Sequence, residues 1–406
     1  MSQITAVRTL RIKEHPNLIW VEIETADGLV GLGESFRGAA AVEAVLHDQY
    51  APLLIGKDSE QIEAISYQLM TPYLGYNSSS AEVRAASAVD IALWDLSGQR
   101  LNKPIHALLG GRVRDSIPVY NTCAGYRFNT AGSVRRDIGS GDLSSGPYDD
   151  QIAFMRDAGA LAESLVEEGY RAMKIWPFDV FAPASNGQLL TLDQLKQGLE
   201  PFRKIRQAVG DRIEVMCELH SLFGTHAATR ICQALEEYNV YWVEDPLNKM
   251  DNAQALADLR RRTRVPICGS ETLGSAKQYN DLLAADAIDI VMLDLAWCGG
   301  ISEGRKIATL AQIHAKPLAP HDCTGPVTLM AGLHLAVHAP TAIFQEVVRA
   351  TLATWYRDLV TELPVIQHGA ALAPTAAGLG TKLTSTLKRR DDLIIKESGK
   401  PRQMVY

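Results

Sequence analysis

The stretches that decide the fold are IEVMCE (213–218), VYWVE (240–244), PICGSE (266–271), DIVMLD (289–294), KPLAPH (316–321) and AIFQE (342–346). Each is a short apolar run that finishes on a charged or titratable residue. With IPVYNTC (117–123) and AMKIW (172–176) they make eight runs from Ile117 onward, separated by helical stretches such as LEPFRKIRQAVG and ISEGRKIATLAQIHA. Strand and helix alternating eight times is the pattern of a closed parallel barrel, not of an open doubly wound sheet.

Upstream, ITAVRTLRI and LIWVEIETADGLVGLGES alternate with period two and predict an antiparallel meander, with Ala26-Asp27-Gly28 as a turn. Residues 40–110 then carry apolar residues at three-to-four spacing and end on Gly110-Gly111, the signature of helices. About 60 residues follow Glu346, too many for a ninth barrel unit, and are expected to return to the N-terminal part. The expected fold is α/β: a (β/α) TIM-type barrel with an N-terminal α+β capping domain completed by the C-terminal segment. The corresponding boundaries are 1–116, 117–360 and 361–406. Long connections at 127–150 and 177–188 are either lids or insertions.

The 406 residues carry 40 Lys+Arg and 47 Asp+Glu, a net charge of −7, with 47% apolar and 21% charged residues. That balance fits a globular protein and argues against nucleic acid as a partner. No apolar run approaches the roughly 18 residues of a spanning helix and no signal peptide is evident, so no membrane partner and a cytoplasmic location are expected. Six irregularly spaced cysteines without a C-x-x-C suggest buried reduced thiols. The glycines of GLVGLGES (28–35) lie in a predicted hairpin and are not a dinucleotide fingerprint. His47, His106, His226, His314, His334, His338 and His368 lack a partner pattern and read as structural or surface residues.

Glu218, Glu244, Glu271, Asp294, His321 and Glu346 recur at intervals of one βα unit, which brings all six to the C-terminal mouth of the barrel. At roughly 5 Å and an effective dielectric of about 20, two carboxylates repel by about 3 kcal/mol. Three consecutive glutamates therefore protonate or hold a cation, and an all-carboxylate set favours Mg²⁺. Asp294 beside His321 makes a general base of fixed tautomer. Glu218 and His220, like Lys174 and Trp176, share a strand face by i, i+2 alternation, placing His220 beside the metal as a candidate acid.

Together with VEDP, GSET, APHD, FQE, DIALWDLSGQ (90–99), GGRVRDSIPVY (110–120) and PTAAGLG (374–380), these residues resemble the mandelate racemase subgroup of the enolase superfamily. The resemblance implies Mg²⁺ on Glu218, Glu244 and Glu271, an Asp294–His321 dyad that removes the proton α to a carboxylate, and Glu346 hydrogen-bonded to that carboxylate. Many subgroup members carry Lys-x-Lys where this chain has Lys174 and Trp176. Tryptophan cannot accept a proton, so racemisation by the usual pair is disfavoured. His220 makes the site look like that of acid-sugar dehydratases, with an aldonate or aldarate losing water to give a 2-keto-3-deoxy acid. The alternatives are a cycloisomerase or epimerase of a sugar acid or anhydro-sugar acid, and a barrel kept only for binding or regulation. Substrate choice is expected from Lys13-Glu14-His15, Arg37 and Tyr73-Leu74-Gly75-Tyr76 of the cap, with Lys174, Trp176, Arg37, Tyr76 and Glu346 contacting a small carboxylate substrate. A homo-oligomer is expected by resemblance alone.

Overall fold

The computed structural model describes residues 2–71, 80–128, 130 and 148–399. Three strands, β1 (Ile4–Ile12), β2 (Leu18–Thr25) and β3 (Val30–Phe36), form the expected antiparallel meander. A helix at Ala81–Leu101 lies across it. Here the glycines of GLVGLGES find their reason: a Cβ at Gly33 would stand 1.9 Å from the Ala88 carbonyl oxygen, and one at Gly31 2.1 Å from that of Ala92. Only glycine lets strand and helix backbones approach so closely.

The barrel strands are β4 (Ser116–Thr122), β5 (Ala172–Ile175), β6 (Glu214–Glu218), β7 (Val243–Glu244), β8 (Ile267–Gly269), β9 (Ile290–Leu293), β10 (Leu318–Pro320) and β11 (Gln345–Val347). They pair in parallel in chain order from β4 to β10, and β11 pairs with β4. A parallel bridge between Leu318 and Ala342 closes the ring. The paired parts are shorter than the apolar runs, because barrel stagger leaves strand ends without neighbours. Glu271, Asp294 and His321 thus stand just past their strands, while Glu346 lies within β11.

After the barrel, β12 (Ile366–Gln367) and β13 (Ala370–Leu372) form a hairpin whose second strand pairs antiparallel with barrel strand β4. Other parts reach the cap: Leu379 N donates to Asp95 Oδ1 at 2.8 Å, Gly378 bridges Pro104, and β14 (Leu393–Gly399) pairs with β1. The tail expected to return to the cap is therefore shared between barrel and cap.

The barrel lumen is plugged by Tyr120, Ala172, Met216, Trp242, Cys268, Ile290, Met292 and Ala319, all buried. Side chains two residues on face the same way, so Thr122, Lys174, Glu218, Glu244, Asp294 and His321 form the next layer toward the mouth. Glu271 reaches that layer three residues after Cys268, since the chain leaves the strand at Gly269.

Cap carboxylates join the two parts. The barrel helices Gly300–Ile313 and Pro326–His338 start after glycines and lack a side-chain cap of their own. Asp90 accepts from Ser302 N at 2.9 Å, and Glu34 accepts from Thr328 N and Oγ1 at 2.9 Å and from Trp20 Nε1 at 2.7 Å. Both helix N-termini receive an acidic side chain from the cap, which satisfies orphan N–H groups and the helix dipole. These N-termini follow the strands' C-terminal ends, so the contacts seat the cap on the barrel mouth.

Burial, offset in part by hydrogen bonds from Ser302, raises Asp90 to about 7. Its native state holds a proton that the unfolded chain has lost above about 3.8. The stabilisation is therefore full below that value and is lost as pH rises to about 7. Asp90→Asn keeps the uncharged shape, and urea denaturation should find it level with wild type at pH 4 but more stable at pH 8, by on the order of 2–4 kcal/mol. An offset independent of pH would contradict the assignment.

Candidate active site

A cavity opens at the mouth, lined among others by Arg37, Lys174, Trp176, Glu218, His220, Glu271, Trp297, His321 and Glu346. Ten of the residues expected here from sequence are thus gathered: eight line the cavity, and Glu244 and Asp294 touch two of those, Lys174 and His321. Tyr76 lies outside the described residues, as does the segment 73–76 and most of the connection 127–150. His15 is buried in a stack on Trp355, rings 3.9 Å apart, and does not line the cavity.

One carboxylate oxygen each from Glu218, Glu244 and Glu271 lies within 4.8 Å of the others. All three glutamates are buried. Lys174 Nζ sits among acids, 2.6 Å from Glu244 Oε1, 3.0 Å from Glu346 Oε1 and 3.2 Å from Glu218 Oε2. Burial alone would lower its pKa, but Glu244 and Glu346 outweigh that and raise it well above the usual lysine range. This lysine is held as a cation and is no base. Glu218 Oε2 faces it without accepting a hydrogen bond, an orphaned buried oxygen in a hard donor set. Such a set fits a divalent hard cation. Trp242 Nε1 donates to Glu244 Oε2 at 3.1 Å and fixes that carboxylate from below.

His321 forms the expected dyad, Nδ1 lying 2.7 Å from Asp294 Oδ2. Asp294 is pinned in turn by Thr324 Oγ1 at 2.5 Å and by Ala296 N at 2.7 Å. The other nitrogen, Nε2, is 2.6 Å from Glu271 Oε2. Burial opposes protonation of the ring, yet Glu271 and Glu346 raise its pKa well above the ordinary histidine value. Glu346 is oriented by Thr122 Oγ1 and by Asp322 N, the latter at 3.0 Å.

His220 reaches the cavity for a different reason than strand alternation. β6 ends at Glu218, and His220 and Ser221 take left-handed backbone angles, φ 48° and 55°. The turn points His220 N at Glu218 Oε1, 2.7 Å away, and its ring Nδ1 at Asp179 Oδ2, also 2.7 Å away. Because β6 and β10 are four strands apart in a ring of eight, His220 and His321 stand on opposite walls.

Sequence reasoning missed Thr122, Asp179, Trp297 and Asp245. Asp245 is buried, accepts from Ser270 Oγ at 2.9 Å, and is pushed well above the usual carboxylate range by burial and by Glu218 and Glu271. Its signal was the acidic pair Glu244-Asp245: alternation sends the second residue outward, and a left-handed φ of 42° turns the chain there. Arg37 and Arg84 place their guanidinium carbons 5.3 and 5.0 Å from the Trp297 ring.

Comparison with known proteins agrees with this fold. The family described as mandelate racemase / muconate lactonizing enzyme, N-terminal domain, matches residues 4–110, and enolase C-terminal domain-like matches residues 157–387. The chain belongs to the mandelate racemase subgroup of the enolase superfamily. A crystal structure of an enolase protein from environmental sequencing of the Sargasso Sea is 61% identical, with TM-score 0.89 over 99% of this chain and 100% of that one. An Agrobacterium tumefaciens enolase of the mandelate racemase subgroup is 43% identical, with TM-score 0.86 over 98% and 99%. D-xylonate dehydratase of Haloferax volcanii is 30% identical over 94% of this chain and 87% of its own. Members of the superfamily generally bind Mg²⁺. Among the described residues no helix is long and apolar enough to cross a membrane.

Lys174→Met strips a lysine contact from three buried carboxylates. In EDTA the variant should lose about 3–5 kcal/mol in urea denaturation, part of it recovered with Mg²⁺. A loss below about 1 kcal/mol would contradict the charge balance drawn here.

Proposed function

We propose that this protein removes the proton α to the carboxylate of a sugar acid and expels the neighbouring hydroxyl, converting an aldonate to a 2-keto-3-deoxy acid. The observation that carries the reading is the pair of carboxylate-backed imidazoles, His321 on Asp294 and His220 on Asp179, on opposite walls of one cavity above three glutamates. The dehydratase relative supports the substrate class.

Glu218, Glu244 and Glu271 would hold Mg²⁺, which when bound supplies the positive charge against which a substrate carboxylate gathers a second negative charge. Asp294 fixes the proton on Nδ1 of His321 and leaves Nε2 to take the C2 proton. Lys174, as a cation, and Glu346, which must carry a proton in order to donate, meet the substrate carboxylate while that charge develops. His220 then gives a proton to the C3 hydroxyl as the C3–O bond breaks and C2=C3 forms, so water leaves. The resulting enol takes a proton at C3 and becomes the 2-keto acid. Trp176 lies edge-on to His220, rings 5.5 Å apart, and fills the place of a second lysine with an apolar wall. Two opposed imidazoles also suit epimerisation, the second reading; recovery of an inverted C2 centre without a methylene would select it.

The test is ¹H NMR in D₂O with Mg²⁺ on D-xylonate, D-gluconate and other aldonates and aldarates. Loss of the C2 proton with a new deuterated C3 signal is expected, and His321→Asn should slow it by about 10²–10⁴. Turnover of that variant within tenfold of wild type would remove His321 as the base.

A further inference from the structure

Asp179 belongs to the connection that follows β5, and its place is built with care. Phe178 beside it is fully buried against the helix Leu192–Val209, at a point where a Cβ on Gly198 would stand 2.2 Å from the Phe178 ring. Further along, Gly187 packs on the turn after β6, where its Cβ would lie 1.9 Å from the Leu222 carbonyl oxygen. Gly224 N donates to Gly187 O at 3.0 Å. The connection after β5 is thereby fastened to the turn that carries His220.

That turn is fixed independently. Leu219 N donates to Glu244 O at 3.0 Å, Ser221 N to Asp245 O at 2.8 Å and His220 N to Glu218 Oε1 at 2.7 Å. The His220 ring is thus met on Nδ1 by Asp179 and at its side by Trp176, whose ring stands at 84° to it. Asp179 holds Nδ1, Nε2 is the second ring nitrogen, and the ring lines the cavity.

We propose that Asp179 is a positioning residue: its carboxylate keeps the proton on Nδ1 of His220 and holds the ring so that Nε2 delivers the proton to the departing hydroxyl. This rests on the reading in which His220 is the acid of the elimination half of the reaction. Asp179 and Asp294 then perform the same service for opposed imidazoles, one for each half. A carboxylate in this position sets tautomer and orientation, and replacing it leaves the ring present but misdirected.

Two measurements on the full-length protein with Mg²⁺ test the proposal. In the first, long-range ¹H–¹⁵N correlation of histidine-labelled protein reports which nitrogen of each ring is protonated, His220 being assigned by its loss in His220→Gln. Wild type should carry the proton on Nδ1 at pH 8, and Asp179→Ala should shift it to Nε2. Retention on Nδ1 in that variant overturns the proposal, and this readout needs no substrate. In the second, D-xylonate and D-gluconate are followed in D₂O. Asp179→Ala, and Asp179→Asn as the shape-conserving variant, should exchange the C2 proton within about threefold of wild type. Product should form about 10²-fold more slowly, with KM little changed. Equal loss of exchange and product, or a rise in KM alone, would make Asp179 a loop anchor and overturn the proposal. Silence of the wild type on both sugars and on every other aldonate and aldarate would instead count against the dehydratase reading, and the tautomer measurement would still decide the role of Asp179.

Discussion

Five carboxylates, from Glu218, Glu244, Glu271, Asp294 and Glu346, are buried within reach of two cationic side chains, Lys174 and His321. Burying that much like charge is costly unless each acid has a counter-charge or a donor. The rest of the site can be read as the answer. Thr122, Asp322 N, Thr324, Ala296 N and Trp242 each donate to one of these oxygens, and the glutamate triad keeps room for a divalent ion. The high pKa of His321 and that of Lys174 arise from the same field. A cation held on Glu271 would weaken the field on His321 and bring the imidazole back toward the range in which a base works at neutral pH. Metal and base would then be coupled through one carboxylate, Glu271, 2.6 Å from Nε2.

The scaffold can carry this charge because strand geometry separates it from the core. Tyr120, Ala172, Met216, Trp242 and Met292 plug the lumen, and the chemistry-bearing residue stands two positions on in each strand. Apolar packing below excludes water without displacing the acids. The cap is held by hydrogen bonds too, Asp90 and Glu34 accepting from two helix N-termini that have no caps of their own. Loops that shape the substrate cavity are thus fixed to the barrel by the same kind of interaction that the cavity uses.

Much of this was legible in the chain. Spacing alone placed Glu218, Glu244, Glu271, Asp294, His321 and Glu346 at one mouth, because a βα unit has a nearly constant length. What spacing could not give were contacts made by irregular backbone. His220 was expected from alternation, but it arrives through two left-handed residues, and Asp179 comes to it from another connection 41 residues earlier in the chain. Asp245 escaped for the related reason that its φ breaks the alternation. The tail was expected to return to the cap; short strands such as β13 hold too few residues for a pattern to say which edge they join.

The central claim is that the glutamates at the ends of three neighbouring strands form one binding site for a divalent cation. Titration calorimetry of Mg²⁺ into metal-stripped protein measures this directly. The account predicts one site per chain, abolished by Glu244→Gln in a protein whose circular dichroism is unchanged. Absence of binding to the wild type, or binding that survives the substitution at equal affinity, would contradict it.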